Sequence, residues 1–461
     1  MTLLILFITF LLRLPSFFEP YWYGDEGIYL AVGQVIQRGA VLYRDIWDNK
    51  TPLLYLIYGL APTLLWAKIS AAACVLGTVY FVKKITKSNL AALLTGIFLS
   101  IPLFEGSIAN AELYFTLPIV ATVYILLRNK PNYLLIGSLF SISFLIKFPA
   151  VFDFIGLFLA LFIINRKIRP FLVMAIPIIL SFSFFIFYFL INNAFGDFLT
   201  ASFFQNASYV AVDSGPFSKF SNPLFTRGIL LLLSSTILSV LFWKRRLSKE
   251  FLFFGLWFGF SLYGALLSNR PYLHYLLQII PPAIILVHYL IKNIKKYYLV
   301  FIPLYLVFRL LQINFSEAFR LPTWHYYENF YGYVSGQKTW KDYANWFDAR
   351  TVTNYQIASY LSGDNLFVWG DNAFIYVLSG IAPTTKFIQA HHLTTIDPSN
   401  LDKITDQIRT KKPKFIVVVR PVRFPFPKLE TIIDNNYRLK RIIGENYIYQ
   451  ILGNISNKTA Y

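Results

Sequence analysis

The feature that most constrains this chain is a series of apolar runs, each roughly 17–25 residues long and closed by a Lys/Arg cluster or a polar turn. Coiled as a helix, a run of that length matches the hydrocarbon thickness of a bilayer, and the apolar/polar alternation of a membrane barrel is missing. Only 14% of the 461 residues are charged and 56% are hydrophobic, too apolar for a soluble fold of this size. The expected architecture is an α-helical polytopic membrane protein with about eleven spans. They fall near 2–18, 60–82, 89–104, 112–127, 132–147, 149–165, 170–191, 228–243, 251–267, 273–291 and 297–314. The first is read as a span rather than a signal peptide: its opening residues carry no positive side chain, Arg13 interrupts the run and no small-x-small cleavage site follows.

A net charge of +19 would suit nucleic acid, but its placement argues for a membrane and against that partner. Residues before 315 hold 25 Lys/Arg and 11 Asp/Glu, and those after hold 17 and 12. With the N-terminus inside, the cytoplasmic loops collect 15 basic residues against 7 in the outer ones. That bias places residues 19–52 and the C-terminal tail outside. It also requires two helices within 132–165, broken at FLIKFPAVF, because a mere kink at Pro149 would put the later basic loops on the wrong side. The single cysteine, Cys74, lies in an apolar helix and indicates no disulfide or thiol chemistry.

Residues 19–52, EPYWYGDEGIYLAVGQVIQRGAVLYRDIWDNKTP, form the most polar stretch of this first half. Asp25, Glu26, Asp45 and Asp48 lie there among Arg38, Arg44, Lys50, tyrosines and tryptophans. Carboxylates at a bilayer are costly unless paired, solvated or used. Ile28, Val32, Val35 and Ile36 recur at helical spacing, so one face can lie on the membrane while Gln34, Gln37 and Arg38 face water. Two readings stand here: an interfacial element carrying Asp25 and Lys50 beside an embedded cavity, or an amphipathic linker with solvated charges.

A second outer segment, 192–227, is rich in Gly, Ser, Pro and aromatics and reads as an interfacial lid. SNRPYLHYLLQIIPP puts Arg270, His274, Tyr275 and Gln278 at the start of a helix, with His274 and Gln278 four apart and hence on one helical face, either in the site or as interface anchors. Residues 315–461 are polar enough for an extracytoplasmic domain. After an aromatic-rich stretch, 366–369, 415–419 and 447–452 read as strands and 373–378 and 400–410 as helices, a small α/β domain. Gly363 and Gly370 make no nucleotide loop.

These motifs together resemble the GT-C class of membrane glycosyltransferases, in the group containing protein mannosyltransferases and lipid A aminoarabinose transferases. The likeness rests on GDEGIYLAVGQVI, LYRDIWDNKTPLLYLIY, NAELYFTLP, FLIKFPAV, HYLLQIIPP and FVWGDNAFIYVLSGIAPTTKFI, in that order and over most of the chain. It implies a GT-C fold, 1–314 as the catalytic membrane domain and 315–461 as an outer domain. The implied activity is inverting transfer of a sugar from a polyprenyl-phosphate donor to a lipid, glycan or protein acceptor. By position Asp25 matches the family's catalytic acid, with Glu26 beside it, and Glu112 the second outer acid, which is Asp in most members. Lys50 matches the lysine that holds the donor phosphate, and Tyr275 an aromatic hydroxyl near it. No cofactor is assigned, a divalent cation being the one possible exception: Asn49 stands where metal-using members carry a carboxylate, and Gln205-Asn206 where they carry a histidine.

The chemistry agrees with these positions. A polyprenyl phosphate needs its leaving charge stabilised more than it needs a proton, and Lys50 and Arg270 can supply charge-assisted hydrogen bonds. Lys147, near the outer end of a span, either reaches that phosphate or snorkels to the surface. The acceptor hydroxyl must lose a proton as it attacks, so a carboxylate base is expected, with Asp25 in that role. Glu112 either orients the acceptor or Asp25, or is a helix N-terminal acid favoured by the dipole. His274, Gln278 and Asn206 are expected at the acceptor side or lid. The alternatives are oligosaccharide transfer from a polyprenyl diphosphate, and, in another class, a transporter; the collection of polar residues at one surface disfavours the transporter.

Overall fold

The structure, a computed structural model, describes residues 1–206, 223–268, 270, 272–314, 322–396 and 400–452. The apolar runs are helices α1 (Thr2–Arg13), α4 (Leu64–Thr86), α5 (Asn89–Phe98), α6 (Ala111–Leu126), α7 (Tyr133–Ile146), α8 (Ala150–Asn165), α9 (Arg169–Ile191), α11 (Pro223–Trp243), α12 (Lys249–Ala265), α13 (Ile280–Lys292) and α15 (Phe301–Asn314). Between them come α2 (Gly24–Gln37), α3 (Pro52–Leu60), α10 (Phe195–Leu199) and α14 (Ile294–Tyr297).

The polar residues that close the runs act as caps. The side chains of Thr63, Ser88, Asn132 and Ser248 accept from Trp66, Ala91, Leu135 and Phe251 backbone N–H groups at 3.1–3.2 Å, each satisfying a helix-start donor. Lys87 and Arg166 end α4 and α8 in the left-handed conformation. Lys147 is extended, so α7 and α8 are separate helices. Among the described residues, Leu64–Thr86, Arg169–Ile191, Leu224–Trp243 and Leu273–Lys292 are long and apolar enough to cross a membrane, and shorter apolar helices accompany them. α9 and α11 expose Leu, Ile and Phe over most of their surface, the faces that lipid would cover.

Three local features differ from the sequence reading. α3 is a separate helix before α4, because 61–63 leaves helical geometry. α2 is sandwiched rather than laid on a bilayer. Ile28 and Val32 are buried in protein, Gly33 meets Gly59 of α3 closely enough that a Cβ would lie 3.0 Å from the Gly59 nitrogen, and Gln34 and Arg38 donate to the C-terminal domain. Last, Leu273–Ile279 is 3-10 helix before α13. At about three residues per turn, positions four apart diverge by roughly 120°, so His274 and Gln278 do not share a face.

The polar C-terminal part begins with α16 (Thr323–Val334), α17 (Trp340–Phe347) and α18 (Thr351–Tyr360), which tie it to the membrane helices. The Tyr326 hydroxyl donates to Glu19 at 2.6 Å and the Tyr327 hydroxyl to the Leu12 carbonyl at 3.0 Å. Beyond them, β1 (Asn365–Trp369), β2 (Ala382–Pro383), β3 (Phe415–Val418), β4 (Tyr437–Ile443) and β5 (Asn446–Ile451) form one mixed sheet in the order β2-β1-β3-β5-β4. β1 is parallel to β2 and β3, and β5 is antiparallel to β3 and β4. The helices α19 (Phe374–Ser379), α20 (Ala390–Ile396), α21 (Asn400–Lys411) and α22 (Pro427–Asn436) complete the small α/β domain.

Candidate active site

The site grows from the start of α2. Successive helical residues point about 100° apart, so Asp25 and Glu26 diverge. Glu26 turns into the protein, where it pairs with Lys68 at 2.7 Å and accepts from Ala109 N at 2.7 Å. Lys68 also holds Glu19 at 2.8 Å, and all three side chains are fully buried. Glu26 is thus part of a core charge cluster, not beside Asp25 as the sequence listing of the two acids suggested.

Asp25 is half-buried on the opposite side and accepts from the Tyr29 hydroxyl at 3.3 Å. Burial opposes its charge, yet Lys50 first, then His274 and Lys147, outweigh burial and hold its carboxyl below the usual Asp value. Lys50 also lies over the Tyr29 ring at 5.5 Å. Lys147 pairs with Glu112 at 2.5 Å and sits 4.8 Å from the centre of the Tyr275 ring. Asp25, Lys50, Glu112, Lys147, His274 and Tyr275 are therefore gathered in one place.

Tyrosine hydroxyls clamp the loop that carries Lys50. Tyr43 donates to the Lys50 carbonyl at 2.7 Å, while Tyr55 accepts from Lys50 N at 3.0 Å and donates to buried Asp48 at 2.6 Å. Asn206, at the described end of the 192–227 segment, donates to the Asn49 carbonyl at 2.8 Å, and Trp47 donates to Gln205 at 3.1 Å. Of the rest of the lid expected from the sequence, 207–222 lies outside the described residues and 223–227 is the first turn of α11 rather than loop. Gln278 stands apart: its amide binds Asp153 and the Pro149 carbonyl, and Asp153 also accepts from Trp257 at 2.8 Å, a buried link between helices.

Several members escaped the sequence reading. Glu105 lies 2.6 Å from His274 Nδ1 and accepts from the Tyr23 hydroxyl at 2.7 Å. The available signal was a lone acid in a loop between apolar spans. From the C-terminal domain, His392 Nε2 lies 3.5 Å from Asp48. Burial, then Lys50 and His391, hold the His392 imidazole below its usual range in spite of Asp48, so it is neutral near pH 7. His391 is lowered by burial and by Arg270 and Lys50 despite Asp371, which brings Arg270 to the same rim. No local pattern announces a contact between residues more than 300 apart in sequence. As to a metal, no three His, Cys, Asp or Glu side chains converge among the described residues, and Asn49 presents only a neutral amide beside Asp48 and His392. This donor set does not fit a divalent cation.

The whole arrangement is a polytopic helical membrane fold with a small α/β domain at its C-terminal end, and this fold is shared with solved structures. The chain is similar to the crystal structure of ArnT from Cupriavidus metallidurans bound to undecaprenyl phosphate, with a TM-score of 0.60 and 10% identity over 98% of each chain. It is likewise similar to ArnT from the same organism in the apo state, with a TM-score of 0.57 and 12% identity over 97% of each. A family model described as "Putative competence-induced protein Ccs4 C-terminal domain" matches residues 348–451, the part built around the sheet. No curated protein sequence matches the chain.

Proposed function

We propose that this protein transfers a sugar from a polyprenyl-phosphate donor to an acceptor hydroxyl at the outer face of the cell membrane, with inversion at the anomeric carbon. The observation that carries the reading is the meeting of one half-buried, ionised carboxylate, Asp25, with two lysines, Lys50 and Lys147, where the membrane helices meet the C-terminal domain. The ArnT structure of like fold was solved with undecaprenyl phosphate, which supports a lipid phosphate as ligand for this fold.

In the proposed reaction the acceptor oxygen attacks the anomeric carbon from the side opposite the phosphate. The bond from that carbon to the phosphate oxygen breaks, its electron pair leaves on polyprenyl phosphate, and the acceptor proton passes to Asp25. A carboxylate held below the ordinary range is a weak base that is ionised through neutral pH. That suits proton uptake late in an oxocarbenium-like transition state, when the attacking hydroxyl has become acidic. Lys50, Lys147 and Arg270 stabilise the departing phosphate charge, which needs cations held in place before the bond breaks. Glu112 fixes Lys147, and the Glu105–His274–Tyr23 group steadies the wall beside Asp25. In this reading 1–314 is the catalytic domain, 192–227 the lid, and 315–461 an extracytoplasmic domain that closes the site.

The test is to supply purified protein in lipid with polyprenyl-monophosphate sugars and polyprenyl-diphosphate oligosaccharides, with envelope extract as acceptor. Consumption of a monophosphate sugar with release of polyprenyl phosphate is expected. Consumption of diphosphate donors alone would put oligosaccharide transfer in its place, and substrate uptake without transfer would favour a transporter.

A further inference from the structure

A cleft with about 350 Å³ of empty space, its open mouth included, lies where the C-terminal domain meets the first turn of α2. Gly24 forms part of its wall one residue before Asp25, whose side chain turns about 100° away and lies beyond the lining residues. A Cβ on Gly24 would meet nothing within 4 Å, so the approach at this point is open. Trp22 lines it from the first loop; Thr351, Asn354, Asp371, Asn372 and Gln389 line it from the C-terminal part.

Two of these groups have no hydrogen-bond partner among the described residues. Gln389 is 7% exposed and lines the cleft, with no hydrogen bond from its side-chain amide among the described residues. Thr351 is fully buried, and its hydroxyl is likewise unpartnered. The Gln389 amide opens on the cleft and is available to a ligand there, whereas the Thr351 hydroxyl is sealed beneath the wall. The other polar groups are held in place. Asp371 accepts from His391 N at 2.9 Å through one oxygen and keeps the second available, and Asn372 donates to Asn354 at 2.7 Å. Most small-molecule pockets are mainly apolar. Here amides, the Asp371 carboxylate and the paired Asp348 and Arg350 stand beside the rings of Trp22 and Phe374, a combination that hydrogen-bonds the hydroxyls of a sugar while covering its C–H face.

We propose that this cleft binds a carbohydrate unit of the acceptor and presents its hydroxyl to Asp25. The inference rests on the sugar-transfer reading and specifies it: the acceptor is a glycan or glycolipid sugar rather than an acyl chain or an apolar peptide. Gln389 and Asp371 are its specificity-determining residues, and Trp22 its apolar wall. The hydroxyl held there gives its proton to Asp25 as its oxygen bonds the donor's anomeric carbon and the phosphate departs.

The experiment uses the full chain in lipid nanodiscs, carrying Asp25→Asn to prevent turnover. The probes are methyl glycosides of hexoses and N-acetylhexosamines, read by saturation-transfer NMR. At least one glycoside is expected to receive saturation, and Gln389→Ala, which removes an amide that bonds nothing among the described residues, to reduce it at least fivefold. Asp371→Asn, which keeps the contact to His391, is expected to act in the same direction. Leu439→Ala, on the exposed edge strand β4, is the control and leaves the signal unchanged. With Asp25 intact, Gln389→Ala raises the acceptor KM at least fivefold, more than it lowers kcat. Absence of saturation for every glycoside, or equal saturation in the Gln389→Ala protein, overturns the assignment. Consumption of the donor separates the two levels. Donor consumption with an unchanged acceptor KM in Gln389→Ala overturns the cleft and leaves sugar transfer standing. Glycoside binding that depends on Gln389 without any donor consumption overturns the acceptor role.

Discussion

At the residue scale, the ionisation of Asp25 depends on its positive neighbours winning against burial. The acid limb of kcat/KM is therefore expected below the ordinary Asp value of 3.8, so that activity is full through neutral pH and falls only as Asp25 takes up its proton. Lys50→Gln removes the strongest of those neighbours. The limb should then move to higher pH, on top of a rise in donor KM; a pH–rate profile that does not move would separate Lys50 from Asp25. The tyrosine clamp gives a second prediction. Tyr55→Phe leaves buried Asp48 without its 2.6 Å donor and frees one side of the Lys50 backbone. A loss of about 1–3 kcal/mol in unfolding experiments is expected, together with weaker donor binding. Asp25 and Lys50 stand out in the sequence as an acid and a lysine at a membrane surface, and Glu112 only through the family resemblance. His392 and Glu105 do not stand out, because only the folded chain brings them to the site.

At the element scale, two contacts decide whether α2 is held in register. The C-terminal domain rests on it through Phe374, whose ring leaves no space at Gly27: a Cβ there would lie 2.9 Å from the ring. Gly27→Val should displace α19, cost roughly 1–3 kcal/mol by overpacking, and raise the acceptor KM through the cleft beside it; unchanged stability and KM would show that the ring gives way freely. The opposite side of α2 is pinned by Lys68 between Glu19 and Glu26. Lys68→Met strands two buried carboxylates, so a loss of about 3–5 kcal/mol is expected, with Glu19→Gln and Glu26→Gln together restoring most of it in a detergent unfolding assay. The helix starts at Thr63, Ser88, Asn132 and Ser248 carry a local signal, a capping side chain, that the sequence reading did not use. β4 carries none, because its interior positions are all exposed and Arg438, Lys440 and Arg441 give it no apolar period. The 3-10 turn at 273–279 was hidden for a related reason: its apolar content fits either helix.

At the scale of the whole molecule, the apolar runs and the bias of Lys/Arg between loops carried most of the architecture, because a bilayer permits few solutions. Neither could show how the C-terminal domain is docked. Trp47 N donates to the Lys386 carbonyl at 2.8 Å, and Lys386 pairs with Asp197 at 2.8 Å, so one loop of that domain touches both the first polar stretch and the lid segment. The proposed orientation predicts that Leu439→Cys, in a Cys74→Ser background, reacts with a membrane-impermeant maleimide in intact cells; labelling only after lysis would place the domain inside. The central claim is that Asp25 receives the acceptor proton during transfer from a polyprenyl-phosphate sugar. Its most direct test is single-turnover release of polyprenyl phosphate in the presence of acceptor, comparing the unaltered protein with Asp25→Asn. The account predicts a rate lower by about 10²–10⁴-fold, the usual worth of a positioned base, with the donor still bound. Release by the Asn variant at the unaltered rate would contradict it.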